Sequence, residues 1–288
     1  DMKTSKKLRY ICEYILVLPL YYLLKIVPIK ASSFVFGKLL RFAGRFHSSN
    51  KTAFKNAEII LNSNDESHVK GVVKDCWENL GRTSGEFIKV TDMNEGELDK
   101  ISFITGEEYI KQQNDKPIIF ISAHIGNWEL ASRLLLKVDP KTSLIYRRAN
   151  NPYVENLIQK QRQKYADLII QKGDKAGFRD IVKHIKSGGS LGMLADQKMR
   201  EGVNTEFFGK QVAIPITAAE LAIKFDIPII MGRVIRNYGG KFELRFDPPF
   251  WGKDKNAEEL MKEIYQNYEN WIREYPSQWF LMHNRFKS

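Results

Sequence analysis

From Asp99 onward, short apolar runs rich in β-branched residues alternate with stretches of helical periodicity, and this alternation constrains the fold more than any other feature of the chain. The runs fall at residues 117–123, 143–146, 168–170, 190–195, 227–234 and 242–246, with helical stretches at 127–137, 153–164, 177–186 and 218–224. Strands joined by helices need crossover connections, which predicts an α/β fold with a mostly parallel central sheet flanked by helices. The turn residues Asn237-Tyr238-Gly239-Gly240 make one late antiparallel hairpin an expectation. Residues 257–273 read as a helix, followed by Pro276 and an aromatic-rich tail. Upstream, residues 31–46, 51–61 and 68–90 read as helices with a polar break at 62–65, and no repeat or low-complexity linker divides the chain.

The first of the runs leads into Ser122-Ala123-His124-Ile125-Gly126-Asn127-Trp128-Glu129, which sets His124 just past the carboxyl end of a strand. Open α/β sheets place their ligands at such ends. Glu129 follows five residues later, about 140° around a regular helix, so the two would not face each other within one. With Gly126 in a tight turn and Asn127 as the N-cap, Glu129 falls in the first helical turn and is expected to fold back toward the imidazole. Histidine is the side chain poised to take a proton near neutral pH, and a carboxylate on its other nitrogen fixes the tautomer. No G-x-S-x-G elbow or cysteine accompanies this histidine, which favours direct attack by a hydroxyl over an acyl-enzyme. On spacing alone a second reading stays open: a structural strand-end histidine, with Glu129 complementing the helix dipole.

Charge is placed unevenly. Residues 1–51 hold ten Lys or Arg against Asp1 and Glu13, a net +8 out of the chain's +11, which leaves +3 for everything after. The basic residues flank an apolar segment at 10–29, which points to an anionic membrane surface and away from nucleic acid. Glu13, Pro19 and Lys25 interrupt that segment, so a single span, an in-plane amphipathic anchor and a buried helix all fit it. The division expected is a basic and hydrophobic membrane anchor at 1–30 and one α/β domain at 31–288, helical in its first part. Cys12 and Cys76 form no metal-ligand spacing and no disulfide framework, which points to a reducing compartment.

Six blocks bear on function. They are Trp77-Glu78-Asn79-Leu80-Gly81-Arg82; His124 to Glu129; Tyr146-Arg147 with Asn151-Pro152-Tyr153; Gly188-Gly189 with Leu194-Ala195-Asp196-Gln197; Phe207-Phe208-Gly209; and Gln278-Trp279 with His283-Asn284-Arg285-Phe286. In this order they resemble the bacterial lipid A late (secondary) acyltransferases. The resemblance implies a lysophospholipid-acyltransferase-like fold at the cytoplasmic face of the bacterial inner membrane. It implies an acyl-acyl carrier protein donor, a hydroxyl of a lipid A precursor as acceptor, and no metal or organic cofactor. The family's H-x4-D/E dyad carries over as His124 and Glu129, and its Tyr-Arg block as Arg147, expected to hold a phosphate or carboxylate. Arg148 stands where the family commonly has Pro, and Asn284 where a second Arg is usual. Asn127, Asp196 and Gln197 complete the expected substrate-binding set. Trp128 is read as core or as a wall of an acyl channel, and Phe207-Phe208-Gly209 as a loop anchor. His283 and Arg285 are read as packing or interface residues. Two rival readings remain: an acyltransferase for another glycolipid or membrane lipid, and a non-catalytic basic membrane-surface protein.

Overall fold

The computed structural model describes residues 4–166, 169–171, 175–199, 202–237 and 240–286. Five helices come first: α1 (Thr4–Ile26), α2 (Ile29–Ala43), α3 (Asn50–Leu61), α4 (Glu66–Asp92) and α5 (Glu95–Ile101). Strands and helices then alternate through β1 (Ser102–Thr105), α6 (Glu107–Lys111), β2 (Ile119–Ser122), α7 (Trp128–Val138), β3 (Thr142–Tyr146) and α8 (Pro152–Arg162). The chain continues through β4 (Ile169–Gln171), α9 (Lys175–Lys186), β5 (Ser190–Leu194), β6 (Val203–Phe207), β7 (Lys210–Ile214) and α10 (Thr217–Phe225). It closes with β8 (Ile229–Arg236), β9 (Phe242–Phe246) and α11 (Ala257–Glu274).

Seven strands form one sheet in the order β1-β9-β8-β2-β5-β3-β4, parallel throughout except for the β8–β9 pair. This is the largely parallel α/β architecture that the alternation predicts, with its expected antiparallel pair. Tyr238 and Gly239 of the expected turn, and Leu168 of the expected strand, lie outside the described residues.

Successive residues of a strand point to opposite faces, and the core follows that rule. Ile119, Ile121, Ile229 and Met231 cluster with Leu221 of α10 and with Leu260, Ile264 and Tyr268 of α11. Ile118, Phe120, Ile230 and Val234 cluster instead with Leu130, Leu134 and Leu135 of α7. Each such burial contributes about 1.5–3 kcal/mol, so both faces of the middle strands are strongly specified.

Several short pieces escape the sequence pattern, α6 among them. α5 starts at Asn94 with a reciprocal capping box to Glu97, and β1 is a four-residue edge strand. The two-stranded β6–β7 hairpin turns at Phe208 (φ 50°) and Gly209 (φ 68°). A phenylalanine in left-handed backbone is an uncommon turn residue, which is why the segment reads as a loop. Phe207 anchors it, buried against Tyr265, Trp279 and Phe286.

The N-terminal helices lie against the body. α1 runs through Pro19 and packs on α4 and α8, with Tyr10 and Leu24 buried and Asn151 bonded to both the Tyr10 carbonyl and Glu13. No helix among the described residues is long and apolar enough to cross a membrane. α2 crosses α4 at very close range. A Cβ on Gly81 would sit 2.2 Å from the Phe36 carbonyl oxygen, and one on Gly85 2.6 Å from that of Ser32. The outward sides of α1 and α2 expose Leu16, Leu20, Leu23, Phe34, Leu39 and Phe42 among basic residues.

Candidate active site

β2 ends at Ser122, and the next five residues form a turn that delivers His124 before α7 begins at Trp128. Gly126 has φ +60°, and a Cβ there would fall 1.6 Å from the Val234 carbonyl oxygen. Only glycine satisfies both demands. Asn127 caps α7 by accepting from Leu130 N at 3.0 Å. The C-terminal tail closes the other side of the turn: Phe280 N donates to the His124 carbonyl at 2.8 Å, and Gly126 N donates to that of Gln278 at 3.0 Å.

The carboxylate that holds His124 is Asp196. His124 Nδ1 lies 2.6 Å from Asp196 Oδ1, whereas Glu129 accepts from Arg162 Nη2 at 2.8 Å. This corrects the expected His124–Glu129 contact, and the sheet register gives the reason. β2 and β5 are adjacent parallel strands with Ser122 paired to Leu194. Two residues beyond each pairing partner stand His124 and Asp196, side by side at the carboxyl edge. The first turn of α7 points Glu129 elsewhere, toward α8.

Asp196 is fully buried and accepts on its other oxygen from Trp279 Nε1 at 3.0 Å and Arg285 Nη2 at 2.8 Å. Arg285, 2% exposed, also donates to the carbonyls of Asp196 and Phe280. Burial opposes the Asp196 charge, but His124 and Arg285 outweigh it and hold the carboxyl far below the ordinary carboxylate range. An ionised carboxylate only accepts, so the neutral imidazole carries its hydrogen on Nδ1 and presents its Nε2 lone pair. The Gln197 amide nitrogen lies 3.3 Å from that Nε2. His124 keeps 18% of its side chain exposed.

A cavity of about 110 Å³ lies between α7 and the sheet, with Ser122 and Trp128 of the His124 segment on its lining. Phe120, Leu135, Leu144, Met193 and Phe246 give it apolar walls, Gly192 and Gly232 keep its floor open, and the Glu129–Arg162 pair lies on its lining. Trp128 stands between cavity and histidine: it lines the cavity, and its ring centroid is 5.5 Å from that of His124. Burial, and then the Glu129 charge, pushes the Tyr165 hydroxyl up to about 12, so the tyrosine stays neutral beside the pair.

The other expected site residues separate by burial. Asn127 is fully buried, its Oδ1 capping α7 and its Nδ2 donating to Glu86 at 2.7 Å, so it supports the turn and has no group left for a substrate. Asp196 likewise is buried and holds His124. Arg147 and Arg148 are exposed just past β3 and make no hydrogen bond or ion pair among the described residues. Sequence reasoning missed Arg285 and Trp279, whose block was noted but read as packing, and Arg162, which carries no local signal. Among the described residues no group of three His, Cys, Asp or Glu is placed to hold a metal ion.

A family profile described as "Bacterial lipid A biosynthesis acyltransferase" matches residues 1–288. None of the curated proteins matches the chain. Among solved structures, the chain is similar to the 1-acyl-sn-glycerophosphate (LPA) acyltransferase PlsC from Thermotoga maritima. That likeness has 13% identity and a TM-score of 0.40, and covers 84% of this chain and 97% of that one.

Proposed function

The chain belongs to the bacterial lipid A biosynthesis acyltransferase family, and on that premise we propose that it moves a fatty acyl chain from acyl carrier protein to a hydroxyl of a lipid A precursor, with His124 as general base. One observation carries this reading: an imidazole held through Nδ1 by the buried Asp196, with Trp128 standing between it and an apolar cavity.

The chemistry runs as follows. The acceptor hydroxyl approaches His124 Nε2, taking the place beside Gln197, and gives up its proton as its oxygen attacks the thioester carbonyl. A carbon–oxygen bond forms, and the tetrahedral intermediate collapses with cleavage of the carbon–sulfur bond. The imidazolium returns the proton to the departing thiolate. Asp196 stabilises the imidazolium between these steps. General base catalysis of this kind contributes roughly 10²–10⁴-fold.

The hydrocarbon chain lies in the cavity between α7 and the sheet, where each buried methylene contributes about 0.8 kcal/mol. Glu129 acts at a distance from the imidazole, fixing the Arg162 guanidinium at the cavity lining. Arg147 and Arg148, which have no partner among the described residues, offer their charges to a phosphate or carboxylate of the acceptor. α1 and α2 lie in the interface of an anionic leaflet, with their exposed apolar side chains among the lipids and their lysines and arginines at the headgroups. This reading puts the enzyme on the cytoplasmic side of the inner membrane, where acyl carrier protein, an acidic partner, meets a basic surface.

The deciding experiment is a His124→Ala variant assayed with acyl carrier protein thioester and lipid A precursor, alongside mass spectrometry of lipid A from cells with and without the protein. A loss of turnover of at least 10²-fold and one acyl chain fewer in cells without it are expected. Full turnover by the variant refutes the base assignment. An added chain on another glycolipid or phospholipid, with lipid A unchanged, moves the acceptor to that lipid.

A further inference from the structure

The block Trp77 to Arg82 lies in the middle of α4, and nothing in the reaction above uses it. Gly81 is accounted for by the close crossing of α2. Asn79 faces the other way. With Thr83 and Glu86 it forms a stripe at spacings of four and three, which lie along one side of a helix, and all three side chains are buried.

Each member of the stripe reaches the turn that carries His124. Asn79 Nδ2 donates to the Gly126 carbonyl at 3.0 Å and to that of Gln278 at 3.2 Å. Thr83 Oγ1 donates to the same Gly126 carbonyl at 3.1 Å. Glu86 accepts from Asn127 Nδ2 at 2.7 Å and is gripped through both oxygens by Arg236 at 2.6 and 2.9 Å. Its fourth donor is the Ser33 hydroxyl of α2, at 2.6 Å. A carboxylate offers about four acceptor sites, so Glu86 is fully occupied.

We infer that Asn79, Thr83 and Glu86 are positioning residues for His124, and that through Ser33 the same network ties helix α2 to the catalytic turn. The inference rests on His124 being the base. A buried carboxylate with all four acceptor sites filled, as in Glu86, is held rigidly, and a misplacement of about 1 Å at a reacting group costs on the order of 10²-fold in rate. Among the described residues Asn79 Oδ1 is buried without a hydrogen-bond partner, an arrangement that lowers stability. The other face of α2 exposes Phe34, Leu39 and Phe42, so one helix touches both the lipid-facing surface and the network beneath the base.

The test compares Thr83→Val, Thr83→Ser and Glu86→Gln in the full chain with acyl carrier protein thioester and lipid acceptor, measuring kcat, both KM values and Tm. His124→Ala is assayed in parallel. Positioning lowers kcat about tenfold in Thr83→Val and about 10²-fold in Glu86→Gln. The donor KM stays unchanged, the Tm of Thr83→Val falls by no more than about 4 °C, and Thr83→Ser restores kcat. Wild-type kcat in Thr83→Val overturns the inference even if Glu86→Gln fails to fold. So does a loss in Thr83→Val that serine does not restore. Retained activity in His124→Ala instead overturns the base assignment, and this inference with it.

Discussion

Replacing Asp196→Asn separates the role of this carboxylate from that of Glu129. The side chain keeps its shape, but the introduced amide has one acceptor and one donor where the carboxylate had two acceptors. Trp279 and Arg285 both donate to Oδ2, so the acceptor settles there and the donor faces His124. The imidazole must then accept at Nδ1 and carry its hydrogen on Nε2, the nitrogen that has to take the proton. The imidazolium also loses its counter-charge. Two unit charges about 4 Å apart attract by about 4 kcal/mol at an effective dielectric constant of about 20, equivalent to roughly 10³-fold in kcat. Arg285 is left as an unpaired buried cation, at a stability loss of about 3–5 kcal/mol and a fall in Tm on the order of 10 °C. The assay is kcat by mass spectrometry of the acylated product, run well below the measured Tm. A variant that folds and keeps kcat within about threefold of the parent would falsify the assignment of Asp196 as the group that orients His124.

Glu129→Gln keeps the pairing geometry with Arg162 and does not touch His124, so it lowers kcat less than Asp196→Asn in the same assay; the reverse ranking restores Glu129 as the partner of the base. His283 is pushed down from 6.5 to about 4, by burial first and then by the Arg285 charge. The unfolded chain therefore takes up a proton that the folded state resists, so stability falls as pH drops from about 6.5 toward about 4, by up to about 3 kcal/mol. His283→Gln flattens that window in denaturant titrations at the two ends, and an unaltered slope assigns the pH dependence to other groups. Phe42→Asp removes an aromatic ring of α2 that is 59% exposed and is proposed to enter the lipid surface. Burial of one such ring contributes about 1.5–3 kcal/mol, so cosedimentation with anionic vesicles weakens by roughly tenfold or more. Unchanged binding moves the lipid contact to another face.

How much of this was legible in the sequence depends on the range over which each feature is encoded. Helix α4 announces itself through Val72, Val73, Cys76 and Leu80 at helical spacing, and β2 through an unbroken apolar run. The His124 turn was legible too, because Gly126 and Asn127 are local signals for a tight bend and a cap. The edge strand β1 and the β6–β7 hairpin were not, since four or five half-exposed residues carry little periodicity. The partner of His124 was out of reach for a different reason. It depends on β5 lying next to β2, and on Ser122 pairing with Leu194 in that sheet. Strand order of this kind is fixed by packing across the whole domain, so a carboxylate five residues away in sequence looked nearer than one 72 residues away. Arg285 was hidden in the same manner: a basic residue in an aromatic tail reads as a packing or interface group until Trp279, Phe280 and Asp196 close around it.

Asp196 and Glu129 thus stand in different surroundings, which give the two carboxylates different work. Asp196 is dry, ion-paired and bonded to the ring, so it stays charged and fixes the tautomer. Glu129 sits on α7 at the lining of an apolar cavity, with its charge met by Arg162 at 2.8 Å. An ion pair at the edge of a hydrocarbon-lined space marks a boundary, because an acyl chain gains by entering the apolar side and gains nothing by lying against two charges. Trp128, which precedes Glu129, contacts both the cavity and the His124 ring. The short block from His124 to Glu129 therefore combines three features in six residues: the histidine proposed as base, the aromatic wall that separates it from the cavity, and the charge that marks the cavity's polar limit. A spacing of five suits that arrangement, since it turns the two ionisable side chains away from each other, one toward β5 and one toward α8.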